Sequence, residues 1–187
     1  MSQFTAEQIV CIDESGCDSR AGFRRSGWSP IGLAPIQTAR LTRSDRHHIL
    51  PAYTIEGVLT AEVYTGYTDG EVFEQWFEHK LLPHCQSYLA PRSVVLMDNA
   101  SFHHTEQIVE LCNVAGVRLV YLPPYSPDFN PIEEYFGQLK MYIRREFELF
   151  EKGLFYDFTA FLEHCIQVTG YDSEAAKGHF RNCYIAV

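Results

Sequence analysis

The stretch LVYLPPYSPDFNPIEEYFGQLK, Leu119 to Lys140, decides how the rest of the chain is read. An apolar run, Val117 to Leu122, enters a loop carrying Pro123, Pro124, Pro127 and Pro131. Proline fixes φ and restrains the residue before it, so this loop is stiff. At Asn130-Pro131 the pattern turns helical, because Asn is a good N-cap and Pro suits the first helical position. Ile132, Phe136, Leu139 and Ile143 then recur as a core stripe, predicting a helix from Pro131 to about Phe150. Glu133 falls in the first turn, held at the end of a rigid loop.

Upstream, Ile9 to Asp13 is apolar on both alternating faces, as in a central strand covered on both sides. It ends in Asp13-Glu14-Ser15-Gly16. Arg92 to Met97 reads the same way and ends in Asp98-Asn99. Between them, residues 17–46 are polar, with Trp28 and Ile31–Ile36 as a candidate short strand. Runs near Ile49–Ile55 and Val58–Tyr64 predict a hairpin, with a break at Pro51. Val72, Phe73, Trp76, Phe77, Leu81 and Leu82 predict one helix from Asp69 or Gly70 to Pro83. Further helices are predicted over His104–Val114, Phe155–Val168 and Ser173–Asn182. The order is three strands, helix, strand, helix, strand, then helices. That is an α/β domain with right-handed crossovers and helices on both faces of a sheet of about five strands.

Length and composition are consistent with this. At 187 residues, 46% hydrophobic and 14% aromatic, the chain suits one domain, 1–187, with a sizeable core. No apolar run approaches the roughly 20 residues of a membrane span, and MSQFTAEQIV lacks the regions of a signal peptide, so an intracellular protein with no membrane partner is expected. Six cysteines without CxxC pairs or zinc-finger spacing read as reduced, mostly buried thiols. The net charge of −9 alone argues against a nucleic-acid partner. Its distribution softens that: residues 15–50 carry six Arg against two Asp, and residues 51–187 carry nine Lys or Arg against nineteen Asp or Glu. A solvated surface is the plain reading of the Arg-rich part.

Asp13 and Asp98 each end a central strand, and neighbouring strands lie about 4.8 Å apart. Parallel pairing would bring these carboxylates together at the strand C-termini, where open sheets bind ligands. The helix start can carry Glu133 to the same edge. Clustered carboxylates need a counter-charge, which a hard cation such as Mg²⁺ supplies. Two such ions about 3.5–4 Å apart would clamp the oxygens of a phosphodiester. Each residue also has a purely structural reading: Asp13 and Asp98 as turn formers, and Glu133 as the partner of Asn130 in a capping box. Glu134 reads as a solvated helix residue and Asn99 as an orienter of Asp98 or a strand stop. His47-His48 and His103-His104 read as packing or hydrogen-bonding residues. Glu133, Gly137, Lys140 and Arg144 share one helical stripe, either a DNA-backbone track or an ordinary polar face.

IDESG (12–16), LMDNASFHH (96–104) and PPYSPDFNPIEEYFGQLK (123–140) resemble the DDE transposases of the mariner-like superfamily. The 34 residues between Asp98 and Glu133 match that family's spacing, and RRSGWSP (24–30) is similar to its second-strand region. The likeness covers roughly residues 8–145. It implies an RNase H-like domain using two Mg²⁺ or Mn²⁺ ions, with Asp13, Asp98 and Glu133 as catalytic and metal-binding residues. Asn99 and Glu134 are then supporting residues, and Arg24, Arg25, Lys140 and Arg144 are candidates for DNA contacts. The implied reactions are nicking at transposon ends and transfer of the 3′-hydroxyl into target DNA. The implied partner is DNA, with a homodimer and a separate DNA-recognition domain or protein left open. A eukaryotic source would place it in the nucleus. The family's N-terminal helix-turn-helix module is expected to be absent, since the first aspartate is residue 13. Two rivals remain: a domesticated, non-catalytic DNA- or protein-binding module, and a two-carboxylate hydrolase such as a glycosidase.

Overall fold

The computed structural model describes residues 3–22, 27–36, 45–66, 70–99 and 105–187. Its centre is a mixed sheet. Strand β1 (Ile9–Ile12) pairs in parallel with β5 (Val94–Met97), which pairs in parallel with β6 (Arg118–Tyr121). On its other edge β1 runs antiparallel to β3 (His47–Thr54), and β3 runs antiparallel to β4 (Gly57–Thr65). A short strand, β2 (Ser15–Cys17), lies on β3 in the same register as β1: Cys11 faces Tyr53, and Cys17 faces His47. β1 and β2 are thus one strand interrupted at Asp13-Glu14. Continuing the register sets Asp13 opposite Pro51, which has no N–H to donate. There the ladder breaks. The sheet is therefore the expected RNase H-like one, ordered β4-β3-β1/β2-β5-β6.

Two cores form because successive side chains point to opposite faces. Ile9, Cys11, Ile49, Tyr53 and Leu96 face α3 (Pro131–Glu151), α4 (Phe158–Thr169) and α5 (Ser173–Asn182). Val10, Ile12, Leu50, Ala52, Val95 and Met97 face α1 (Gly70–Trp76) and α2 (Glu106–Ala115). The stripe of Ile132, Phe136, Leu139 and Ile143 is buried as the sequence predicts, joined by Tyr135 and Phe147.

Four expectations need correction. β3 passes straight through Pro51. The helix over 70–83 is α-helical only to Trp76, then widens into a π turn (Phe77–Leu81) and tightens into a 3₁₀ turn (Leu82–His84) before Cys85. Trp28 and Ile31–Ile36 form no strand, and Trp28, Ile31 and Ile36 are exposed. Helix α2 is capped by Thr105, whose side chain accepts from the Ile108 N–H, so it starts two residues later than expected. All six cysteines are free and only Cys85 is more than marginally exposed. No helix among the described residues is long and apolar enough to cross a membrane.

The β3–β4 turn sits against α4. Gly57 has φ +116°, and a β-carbon there would collide with the Gly170 carbonyl oxygen, which accepts from Val58 N–H at 2.7 Å. Gly57→Ala therefore meets both backbone strain and a clash. It is expected to destabilise the fold by about 2–4 kcal/mol, read as a lower denaturant midpoint with an unchanged m-value.

Candidate active site

β1 and β5 place two aspartates at one level. Cys11 is opposite Leu96, and Asp13 and Asp98 each lie two residues further along parallel strands. The eight residues of the two strands are at most 1% exposed, so packing fixes them. Beyond β6 the chain turns back through the proline loop. Leu122 N–H donates to Met97 O at 2.9 Å, anchoring the loop beside Asp98. A 3₁₀ turn, Pro127–Phe129, then leads to Asn130, which is buried and accepts from Ile132 N–H at 3.4 Å through its side chain.

The capping-box reading of Glu133 fails here. Its reciprocal arm would need the Asn130 backbone N–H, which donates instead to Pro127 O at 2.8 Å. Glu133 lines a cleft of about 340 Å³ with Asp13, Asp98, Asn99, Asn130 and the loop residues 122–127. Among the described residues no His or Cys lines it. An all-oxygen donor set of this kind fits a hard divalent cation. Among the described residues no three His, Cys, Asp or Glu side chains stand as a closed metal-ligating set.

The charge cost falls on Asp13. Burial pushes its carboxyl up from 3.8 to about 7, and the neighbouring Asp98, Glu133 and Glu14 carboxylates push the same way. A 2.7 Å hydrogen bond from Glu14 N–H partly offsets this.

The remaining candidates divide. Asn99 lines the cleft. Glu134 does not; it accepts from the Asn182 side-chain amide at 3.2 Å, so it braces α5. Lys140 and Arg144 are exposed on α3, on the stripe that begins at Glu133. Lys140 Nζ lies 5.7 Å from the Phe136 ring centroid, and Arg144 Nε donates to Lys140 O at 3.0 Å. Arg24, Arg25 and the His103-His104 pair lie outside the described residues. His47 is buried edge-on to Phe158, and His48 stacks on Tyr64, as packing residues do. Sequence reasoning passed over two residues. Arg46 lays its guanidinium over the backbone of Gly16, three residues past Asp13. Tyr125 stands fully exposed on the cleft rim, and its one signal was a bulky residue amid closely spaced prolines.

The family model for DDE superfamily endonucleases matches residues 8–152. The chain belongs to that family. Among solved structures, this member of the DDE superfamily resembles the mariner Mos1 transposase in its paired-end complex with Mg (TM-score 0.64, 17% identity, 95% of this chain and 51% of that one). It also resembles the Mos1 paired-end complex with Mn (0.63, 16%, 96% and 52%) and the complex with the left transposon end (0.58, 18%, 92% and 55%). Identities this low speak for the fold alone. The chain spans about half the length of these Mos1 chains. Among curated proteins, none matches the sequence.

The Asp13 carboxyl makes stability depend on pH. Below about 4, folded and unfolded chains both hold its proton. As pH rises, the unfolded chain releases the proton first, so stability falls until the folded carboxyl also ionises near 7. In EDTA, Asp13→Asn is expected to melt above wild type at pH 8, by on the order of 2 kcal/mol once partial exposure is discounted, with the gap closing toward pH 4. Paired thermal melts across pH check this.

Proposed function

We propose that the chain is the catalytic domain of a DDE transposase, a divalent-metal-dependent DNA endonuclease and strand transferase. The carrying observation is the register that sets Asp13 beside Asp98 on a cleft also lined by Glu133. Asp13, Asp98 and Glu133 would hold two Mg²⁺ or Mn²⁺ ions, which when bound supply the positive charge that lets phosphodiester oxygens approach three carboxylates. Water or a DNA 3′-hydroxyl serves as the attacking group, so no Ser, Cys or His nucleophile is needed. The strand ladder holds the two aspartates, and the Asn130 cap with its proline loop holds Glu133. Asn99 stands beside Asp98, within the same cleft. Lys140 and Arg144 take phosphates of the strand leaving the cleft along α3.

A non-catalytic module is the poorer reading. It leaves the convergence of Asp13, Asp98 and Glu133 on one cleft without a role. Recognition of particular DNA ends falls to a separate domain or protein, in keeping with a net charge of −9. A eukaryotic source would have it act in the nucleus.

With supercoiled plasmid and Mn²⁺, wild type is expected to nick, and Asp98→Asn to nick about 100-fold more slowly or less. Gel quantification of the open-circular form decides. Nicking that survives in Asp98→Asn, or proceeds in EDTA, refutes the assignment.

A further inference from the structure

Tyr125 is the least economical residue in the molecule. Its side chain is 100% exposed, so it contributes nothing to either core. Its φ is +57°, the left-handed region that a bulky residue rarely occupies. A glycine or asparagine would take that conformation at lower cost. The loop holds it there: Pro124 precedes it, Pro127 follows two residues later, and Ser126 Oγ donates back to Pro124 O at 3.3 Å. A bulky aromatic in a strained conformation, on the lip of the cleft that Asp13, Asp98 and Glu133 line, calls for a ligand.

The charge of that cleft narrows the class. A Lys or Arg at this position would be drawn onto the carboxylates and would compete with any cation for them. A contact made from this position that adds affinity for a nucleic acid without competing for the cation is therefore an uncharged one. The π-face of a nucleobase provides one, and aromatic side chains stack on bases without regard to sequence. A base inside a duplex already has both faces covered, so the base that stacks here is unpaired.

We propose that Tyr125 is a stacking platform for an unpaired nucleobase flanking the phosphate that enters the cleft. This rests on the reading of the cleft as a DNA phosphodiester site. It adds the residue that positions the strand, and it makes a single-stranded or frayed flank the preferred substrate.

The test uses the full chain in Ca²⁺ with a single-stranded oligothymidylate carrying one 5-iododeoxyuridine. Fluorescence anisotropy is expected to show binding weakened about 5- to 100-fold in Tyr125→Gly. Tyr125→Trp should bind within a few-fold of wild type. The Gly variant should melt no lower than wild type, because glycine relieves the φ strain. Ultraviolet crosslinking should map the iodouracil to Tyr125. Unchanged binding in Tyr125→Gly, no restoration by Tyr125→Trp, or a crosslink elsewhere overturns the proposal. If wild type still nicks plasmid in Mn²⁺, the cleft reading stands without it. A wild-type chain that neither binds the oligonucleotide nor nicks removes both.

Discussion

The parallel hydrogen-bonded pairing of β1 with β5 is the constraint on which the rest depends. It aligns two strands residue for residue, so that the aspartate ending one lies beside the aspartate ending the other. It brings Asp13 beside Asp98, which is 85 positions away in sequence. The pairing must overcome the repulsion it creates. Its eight apolar residues are almost wholly buried, and full burial of one such side chain is worth about 1.5–3 kcal/mol. One or two of them offset the cost of a carboxyl held near 7. The two faces of the sheet, each with its own core, thus support an edge that is electrostatically unfavourable by itself.

The third carboxylate reaches that edge by different means. Its position comes from a loop bonded to itself, with Leu122 tied to β5, a 3₁₀ turn closing onto Asn130, and Asn130 capping α3. Because Pro127 O takes the Asn130 N–H, Glu133 is left without its capping duty. The loop that fixes Glu133 also presents Tyr125 to solvent, so one stiff element sets both the chemistry and the approach to it.

Much of this was legible in the sequence because it is periodic or punctuated. IVCI and VVLM are apolar on both faces, and central strands are what they became. Asn130-Pro131 marked a helix start, and α5 occupies the range predicted for it. What escaped was what tertiary neighbours decide. β2 is Ser-Gly-Cys, with no strand pattern, and exists because β3 extends past Pro51 to receive it. Trp28, Ile31 and Ile36 have strand-like composition but no partner strand among the described residues. The end of α1 has strong helical spacing, yet Pro83 and its neighbours alter the last turns. Glu134 could not be ranked below Glu133 until α5 claimed it. Asp13 and Asp98 were visible as strand-ending carboxylates, but their common level is a matter of register, which local sequence does not encode.

Calorimetric titration of Mn²⁺ into wild type, Asp13→Asn, Asp98→Asn and Glu133→Gln at pH 8 tests the shared edge most directly. If the three side chains serve one site, wild type binds with release of heat and each substitution weakens or abolishes that binding. Mn²⁺ affinity left intact by all three substitutions, or wild-type protein that takes up no Mn²⁺ at all, would contradict the account.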